Sequence, residues 1–148
     1  MGGPITLYHF ATRYNDNDPL LLDLFLKTID NILTLNIDIQ LKSDLDLLMI
    51  FDTEANKLTD DEFKSKVIPF IKKQSERHPN KIGYFTKNIT TSKYKMLNEL
   101  EDLKLTVLGS NRDILIELDK THLSLQGNFS NELFNIEDKN KFKSVLGE

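Results

Sequence analysis

The stretch that decides the fold reads LDLLMIFD, residues 45–52, an almost unbroken apolar run bounded by acids. A run of this length without alternation is typical of a central strand that is covered on both faces, as in a parallel sheet. A short helix fits the same residues almost as well, because periodicity does not separate the two structures in short apolar runs. We favour the strand, and with it an α/β fold.

Strand-like and helix-like segments alternate around this run. Period-two patterns predict strands over Ile5–Phe10 and Leu35–Leu41, with a helix between them that is capped by Asp18. After the run, the TDDE capping box at residues 59–62 predicts the start of a second helix. Pro69 predicts a kink or a break in that helix, because its ring clashes with the preceding turn. This alternation is typical of strands that pair in parallel.

The second half of the chain continues the pattern. Strands are predicted over Lys81–Thr86 and Leu105–Leu108, with a helix between them. Residues 113–118 and 121–126 predict an antiparallel hairpin, and a last helix follows it. Together these segments predict a single α/β domain over residues 1–148. Its architecture would be a three-layer sandwich, with a mixed, mostly parallel sheet, a C-terminal antiparallel hairpin and helices on both faces.

Composition excludes several classes of function. The 148 residues contain no cysteine, which excludes disulfides, thiolate catalysis, iron–sulfur clusters and thiolate zinc sites. A net charge of −4 with few arginines argues against a nucleic-acid partner. No glycine-rich phosphate loop is present, and we expect no cofactor. We also expect a cytoplasmic location, since the sequence has neither a signal-peptide pattern nor the ~20 consecutive apolar residues of a membrane span.

The N-terminus formally fits a lipidation pattern. Gly2 and Thr6 occupy the positions that N-myristoylation requires. A single acyl chain needs a second membrane signal, such as a polybasic patch, and the sequence offers none. We therefore expect no lipid anchor at this end.

Asp52 is the acid that most merits a chemical role. It follows the central strand, and the carboxyl ends of strands in an open α/β sheet border the ligand crevice. The loop after the first predicted strand would bring Asp16 to the same edge, with His9 close by. One functional hypothesis is therefore a metal-dependent hydrolase or nuclease in which His9, Asp16 and Asp52 act as ligands or base.

The run FDTEANKLTDDEF, residues 51–63, resembles a calcium-binding EF-hand loop with its outgoing helix. The resemblance assigns ligand positions to four residues: Asp52, Glu54, Asn56 and Glu62. It also implies a helix over Leu45–Phe51. The loop is one residue short, however, and Lys57 stands where the family has an invariant glycine. A shortened loop does not place the last glutamate opposite the first ligands, so we expect no metal here.

The hypothesis that we favour is a non-enzymatic protein-interaction module: a small subunit, adaptor, inhibitor or immunity-type partner. The helix after Asp18 is apolar over a wider face than one packed helix needs, and its apolar residues include Leu21 and Phe25. The acidic surface could steer a basic partner. The same width would also fit a helix sandwiched within the fold. We expect a protein partner or a homodimer that contacts Leu21 and Phe25.

Overall fold

Helices and strands alternate along the chain in the computed structural model, which describes residues 1–12, 18–109, 121–127 and 143. The described elements are α1 (Pro4–Ala11), α2 (Pro19–Leu41), β1 (Leu48–Phe51), a 3₁₀ segment (Thr53–Lys57), α3 (Asp60–Glu62), a π turn (Phe63–Val67), α4 (Ile68–Arg77), β2 (Ile82–Phe85), α5 (Thr91–Asn98), β3 (Leu105–Gly109) and β4 (Ser124–Gly127). The α/β class and the strand predicted within residues 45–52 are confirmed.

The four strands form one parallel sheet in the order β1-β2-β3-β4. Residues 1–3 extend it beyond β1, since Gly2 forms a parallel bridge with Phe51, and the Gly3 N–H donates to the Phe51 carbonyl at 2.8 Å. Parallel strands that neighbour one another in chain order, without the reversal of a doubly wound sheet, have the winding of a βα barrel. The first strand of the predicted hairpin, residues 113–118, lies outside the described residues, and β4 pairs with β3 in parallel.

The sheet has one buried face and one partly exposed face. Side chains at alternate strand positions point to opposite faces. The buried face carries residues that are at most 3% exposed and pack with the helices in one hydrophobic core: Leu48, Ile50, Ile82, Tyr84 and Leu108. The other face, which we call the open face, is half-buried or exposed at its larger side chains: Met49, Phe51, Phe85, Leu105 and Val107. A second helical layer over the open face is not among the described residues.

The prediction of a strand over Ile5–Phe10 is wrong, because these residues lie in α1. Pro4 stands in the first turn, where its missing N–H removes no hydrogen bond of the helix. Ile5 and Tyr8, three residues apart, are buried in α1, which is the spacing of one helical face. The apparent alternation arises because an apolar helix also places apolar residues two apart.

The prediction of a strand over Leu35–Leu41 is wrong for the same reason, since α2 continues to Leu41. Leu33 and Ile37 are 5% and 0% exposed, whereas Leu35 and Ile39 are 61% and 56% exposed. A strand would place all four on one face, and a helix separates them in this way. Burial therefore follows the helical period, and the period-two pattern of the sequence reflects an additional apolar stripe on the outside of α2.

The helix that begins at the capping box changes its winding before Pro69. The capping box is confirmed: the Thr59 side chain accepts from the Glu62 N–H, and the Glu62 carboxylate accepts from the Thr59 N–H. The π turn over Phe63–Val67 directly precedes α4, in whose first turn Pro69 stands. A π turn moves the register of the helical hydrogen bonds by one residue. The expected interruption is thus a local change of helical winding.

Candidate functional site

The loops that follow the parallel strands lie at one edge of the sheet, which we call the carboxyl edge. Asp52 follows β1, Thr86 and Lys87 follow β2, and β3 and β4 end at Gly109 and Gly127. Enzymes built on parallel βα units place their ligands at this edge, because the loops there are free to carry side chains while the strands hold them in place. The carboxyl edge is therefore the candidate site.

Asp52 is fully buried at this edge and caps the first turn of α1. Its Oδ1 accepts a 2.7 Å hydrogen bond from the Thr6 N–H, and the Tyr84 hydroxyl donates to Oδ2 at 3.4 Å. Burial raises the pKa of Asp52 to about 6, and the hydrogen bonds from Thr6, Ile5 and Tyr84 oppose that rise. The carboxylate thus serves as an internal cap, where its charge also suits the positive end of the helix.

Gly3 and Thr6 bind α1 closely to the loop after β1. A Cβ at Gly3 would lie 2.4 Å from the Asp52 Cβ, so only glycine allows the backbone to approach this carboxylate. The Thr6 hydroxyl accepts from the Glu54 N–H at 3.1 Å. The first turn of α1 and the start of the 3₁₀ segment are therefore held together as one unit at the carboxyl edge.

The three residues of the hydrolase hypothesis have different positions. His9 is half-buried in α1, with its ring centroid 5.6 Å from that of Tyr8. Asp16 lies outside the described residues, and Asp52 points at α1. Within the described part of the chain, no group of three or more metal-ligating side chains could hold an ion. The grouping of His9, Asp16 and Asp52 stays a prediction.

The four EF-hand-like residues do not converge in the structure. Each has a partner of its own: Thr6 for Asp52, Lys57 for Glu54, Lys93 for the Asn56 carbonyl and Thr59 for Glu62. The segment that the resemblance makes helical, Leu45–Phe51, contains β1. The chain here is a strand followed by a 3₁₀ segment, which is not the helix–loop–helix arrangement of an EF-hand.

Lys93 is a structural residue of this edge that the sequence analysis missed. It lies on α5 and is 3% exposed. Its ammonium donates to the carbonyls of Asn56 and Leu58 at 3.0 and 2.6 Å and lies 5.5 Å from the centroid of the Phe63 ring. Burial lowers the pKa of Lys93. No sequence signal separates it from the solvated lysines around it, because its role depends on how α5 packs.

An aromatic pair stands at the carboxyl edge of the open face. The rings of Phe51 and Phe85, at the ends of β1 and β2, have centroids 5.7 Å apart, and Phe51 is 49% exposed. Behind them, Met49 lies across Gly83, where a Cβ would come within 2.2 Å of the methionine sulfur. This part of the open face is apolar and aromatic, as ligand-binding walls commonly are.

Three residues with left-handed backbone conformation pack together at the ends of neighbouring strands. Asn88, Gly109 and Gly127 have φ angles of 48°, 63° and 107°. A Cβ at Gly127 would lie 3.1 Å from the backbone nitrogen of Gly109, and one at Gly109 would lie 3.6 Å from that of Asn88. The turn after β2 and the last residues of β3 and β4 are thus packed against one another, so these strand ends form a fixed part of the carboxyl edge.

Comparisons with known proteins identify the family. A family model for uroporphyrinogen decarboxylase matches residues 1–145. Uroporphyrinogen decarboxylases of Chlorobium phaeobacteroides and Chloroherpeton thalassium are 27% and 29% identical over 120 and 136 residues, or 76% and 86% of this chain. That of Chlorobium luteolum is 26% identical over 136 residues. The chain spans 33% to 38% of the length of these relatives, or about a third.

These matches correct our functional expectation. The favoured hypothesis, a non-enzymatic protein-interaction module, is wrong, because the matched proteins are enzymes by name. The alternative hypothesis named hydrolysis, and the matches point to a decarboxylase. A helix with a wide apolar face and an acidic surface can occur in a binding module or in part of a larger enzyme, so these two features do not distinguish the two classes of protein. Since the family model covers 145 of 148 residues, the chain belongs to the uroporphyrinogen decarboxylase family.

Proposed function

We propose that this chain takes part in the decarboxylation of uroporphyrinogen, the reaction for which its relatives are named. The observation that carries the proposal is the family match over residues 1–145. That range includes every described strand whose carboxyl end forms the candidate site. The activity of the whole enzyme is part of the proposal, since the chain spans about a third of its relatives.

The open face supports binding of such a substrate. Uroporphyrinogen is a macrocycle of pyrrole rings that carry carboxylate side chains, so it needs an apolar surface for its rings and polar groups around the rim. Phe51 and Phe85 offer an apolar surface at the carboxyl edge. Aromatic rings pack against one another with a modest gain beyond the area that they bury. We propose that the pyrrole rings lie against this pair.

Asp52 has an indirect role in this proposal. Because it is fully buried and accepts hydrogen bonds from the first turn of α1, it does not face a ligand on the open face. We propose that it positions α1 and the 3₁₀ segment, which together border the site.

Anaerobic equilibrium dialysis with uroporphyrinogen tests the proposal, with the Chloroherpeton thalassium relative as the positive control. We expect the chain to bind and the Phe51→Ser variant to bind at least about fivefold more weakly, as loss of a half-buried aromatic contact implies. Leu45→Ser is the matched control, since Leu45 is an exposed apolar residue that precedes β1, at the opposite edge of the sheet. Absence of binding at concentrations that saturate the relative, or equal weakening by both substitutions, would overturn the proposal.

We also propose that the chain folds as one domain and assembles as a homodimer. A single core cluster joins the sheet to all the longer described helices, which supports one domain. The outside of α2 supports an interface, because Leu20, Leu24 and Leu35 are each more than 60% exposed there. Leu21 is 38% exposed beside them, and Phe25 packs edge-on against Tyr8.

The expected cytoplasmic location stays a prediction. Among the described helices, none has the length and apolarity needed to cross a bilayer.

A further inference from the structure

Lys87 is an exposed cation in a fixed turn at the carboxyl edge. It lies two residues beyond Phe85, at the end of β2. The turn is held on both sides, because Thr86 is fully buried and Ile89 is 1% exposed. Asn88, in the left-handed conformation, is held against Gly109 of the neighbouring strand. The backbone that carries Lys87 is therefore in place before any ligand arrives.

Lys87 also differs from the other cations in its surroundings. Six described cations have acidic partners: Lys57, Lys66, Lys72, Lys73, Arg77 and His78. Among the described cations without an ion pair, Lys87 is the one in a loop that follows a strand. The next helix, α5, has no acid in its first turn that would compete for the ammonium. Among the described residues, no acid pairs with Lys87, so a ligand carboxylate at this edge would meet a positive charge two residues beyond Phe85.

We propose that Lys87 binds a carboxylate of the substrate at the carboxyl end of β2. This inference rests on the proposed function. It adds a charged contact for the substrate, which the aromatic pair cannot provide. Phe51 and Phe85 take the apolar ring, and Lys87 takes an acidic side chain at the rim. A charge-assisted hydrogen bond from a lysine to a carboxylate is stronger than a neutral one and gives the ring a preferred orientation.

The test compares substitutions that remove the same charge at opposite edges of the sheet. Lys104 is exposed and directly precedes β3, at the amino edge, so Lys104→Ala matches Lys87→Ala in charge and differs in place. Lys87→Arg keeps the charge. Dissociation constants for uroporphyrinogen are measured by anaerobic equilibrium dialysis at low and high salt, after circular dichroism has shown that each variant is folded.

We expect Lys87→Ala to weaken binding at least about fivefold at low salt, Lys104→Ala to change it less than about twofold, and Lys87→Arg to retain it. The difference between wild type and Lys87→Ala should shrink at high salt, because ions screen an exposed pair. Equal weakening by Lys87→Ala and Lys104→Ala would overturn the assignment of Lys87 while leaving the proposed function intact. Failure of the wild-type chain to bind would overturn the proposed function, and this contact with it.

Discussion

Asp52 is a buried carboxylate. Its burial disfavours the ionised form, and its hydrogen bonds to neighbouring residues stabilise that form. Removal from water disfavours the ionised form, whereas the backbone N–H groups of α1 and the Tyr84 hydroxyl stabilise it. Removal from water has the larger effect, since the pKa of Asp52 lies at about 6, above its ordinary value of 3.8. The same group that fixes α1 therefore makes the stability of the protein depend on pH.

That dependence has a definite direction. Below pH 3.8 the folded and unfolded chains both hold the proton, and between pH 3.8 and about 6 the unfolded chain releases it first. The contribution of this group to the free energy of unfolding is thus lost as pH rises, by up to about 3 kcal/mol. Urea unfolding of wild type and Asp52→Asn should show the wild type losing stability relative to the variant between pH 4 and 7. Parallel curves over that range would contradict the burial of an ionisable Asp52.

The buried ammonium of Lys93 also contributes to the stability of the fold. Its ammonium satisfies two backbone carbonyls of the loop after β1, and methionine at this position would fill the space without donating. We expect Lys93→Met to lower the free energy of unfolding by about 1–3 kcal/mol, the typical cost of leaving acceptors that are largely removed from water unpaired. Lys64→Met, at an exposed position, should change it by less than about 0.5 kcal/mol. Similar values for both variants in urea titrations would show that the Lys93 contacts do not form.

At the scale of elements, α2 offers a direct comparison of helix and strand. Ile37 is fully buried and Ile39 is 56% exposed, although the two residues would share a face in a strand. At concentrations low enough to keep the protein monomeric, we expect Ile37→Ala to destabilise it by about 2–4 kcal/mol and Ile39→Ala by less than about 0.5 kcal/mol. Thermal or urea unfolding of the two variants gives the values. Equal losses would favour the strand that the sequence pattern predicts.

Elements with local chemical signals could be predicted, and those that depend on packing could not. Asp18 and the capping box at residues 59–62 mark helix starts correctly, because the hydrogen bonds that cap a helix lie within a few residues. The strands over Ile5–Phe10 and Leu35–Leu41 were wrong because apolar residues on two sides of a helix imitate period two. Which apolar side is buried is decided by the sheet, far away in sequence.

The position of Asp52 could be predicted from the sequence, but the contacts of its side chain could not. The sequence singled out Asp52 and placed it at the carboxyl end of a strand, as the structure shows. It did not reveal that the Asp52 carboxylate would accept a hydrogen bond from the first turn of α1, because the pattern of Ile5–Phe10 predicts a strand. Lys87 carries no local signal. Its position beside the candidate site can be recognised only when the parallel pairing of β1 and β2 is known, because that pairing places the ends of both strands at the same edge.

At the scale of the whole molecule, the outside of α2 is apolar over much of its length. Exposed leucines and isoleucines run from Leu20 to Ile39 on a helix that also packs into the core. We expect the protein to sediment as a dimer at micromolar concentration and Leu24→Asp to shift it toward monomer, because a charge would be buried in the interface. Lys104→Ala, an exposed change away from α2, should leave the dimer intact. A wild-type monomer at these concentrations would contradict the proposed interface.

The parallel sheet gives the molecule two chemically different edges, and we propose that the ligand binds at the carboxyl edge. The carboxyl edge holds the aromatic pair, the fixed turns and Lys87, whereas the amino edge holds the loops that enter the strands. Hydrogen–deuterium exchange with and without uroporphyrinogen, under anaerobic conditions, distinguishes the two edges most directly. We expect protection at residues 51–58 and 85–90 and no change at 42–47, 78–81 and 101–104. Protection confined to the amino-edge loops or to α2, with none at the carboxyl edge, would contradict it.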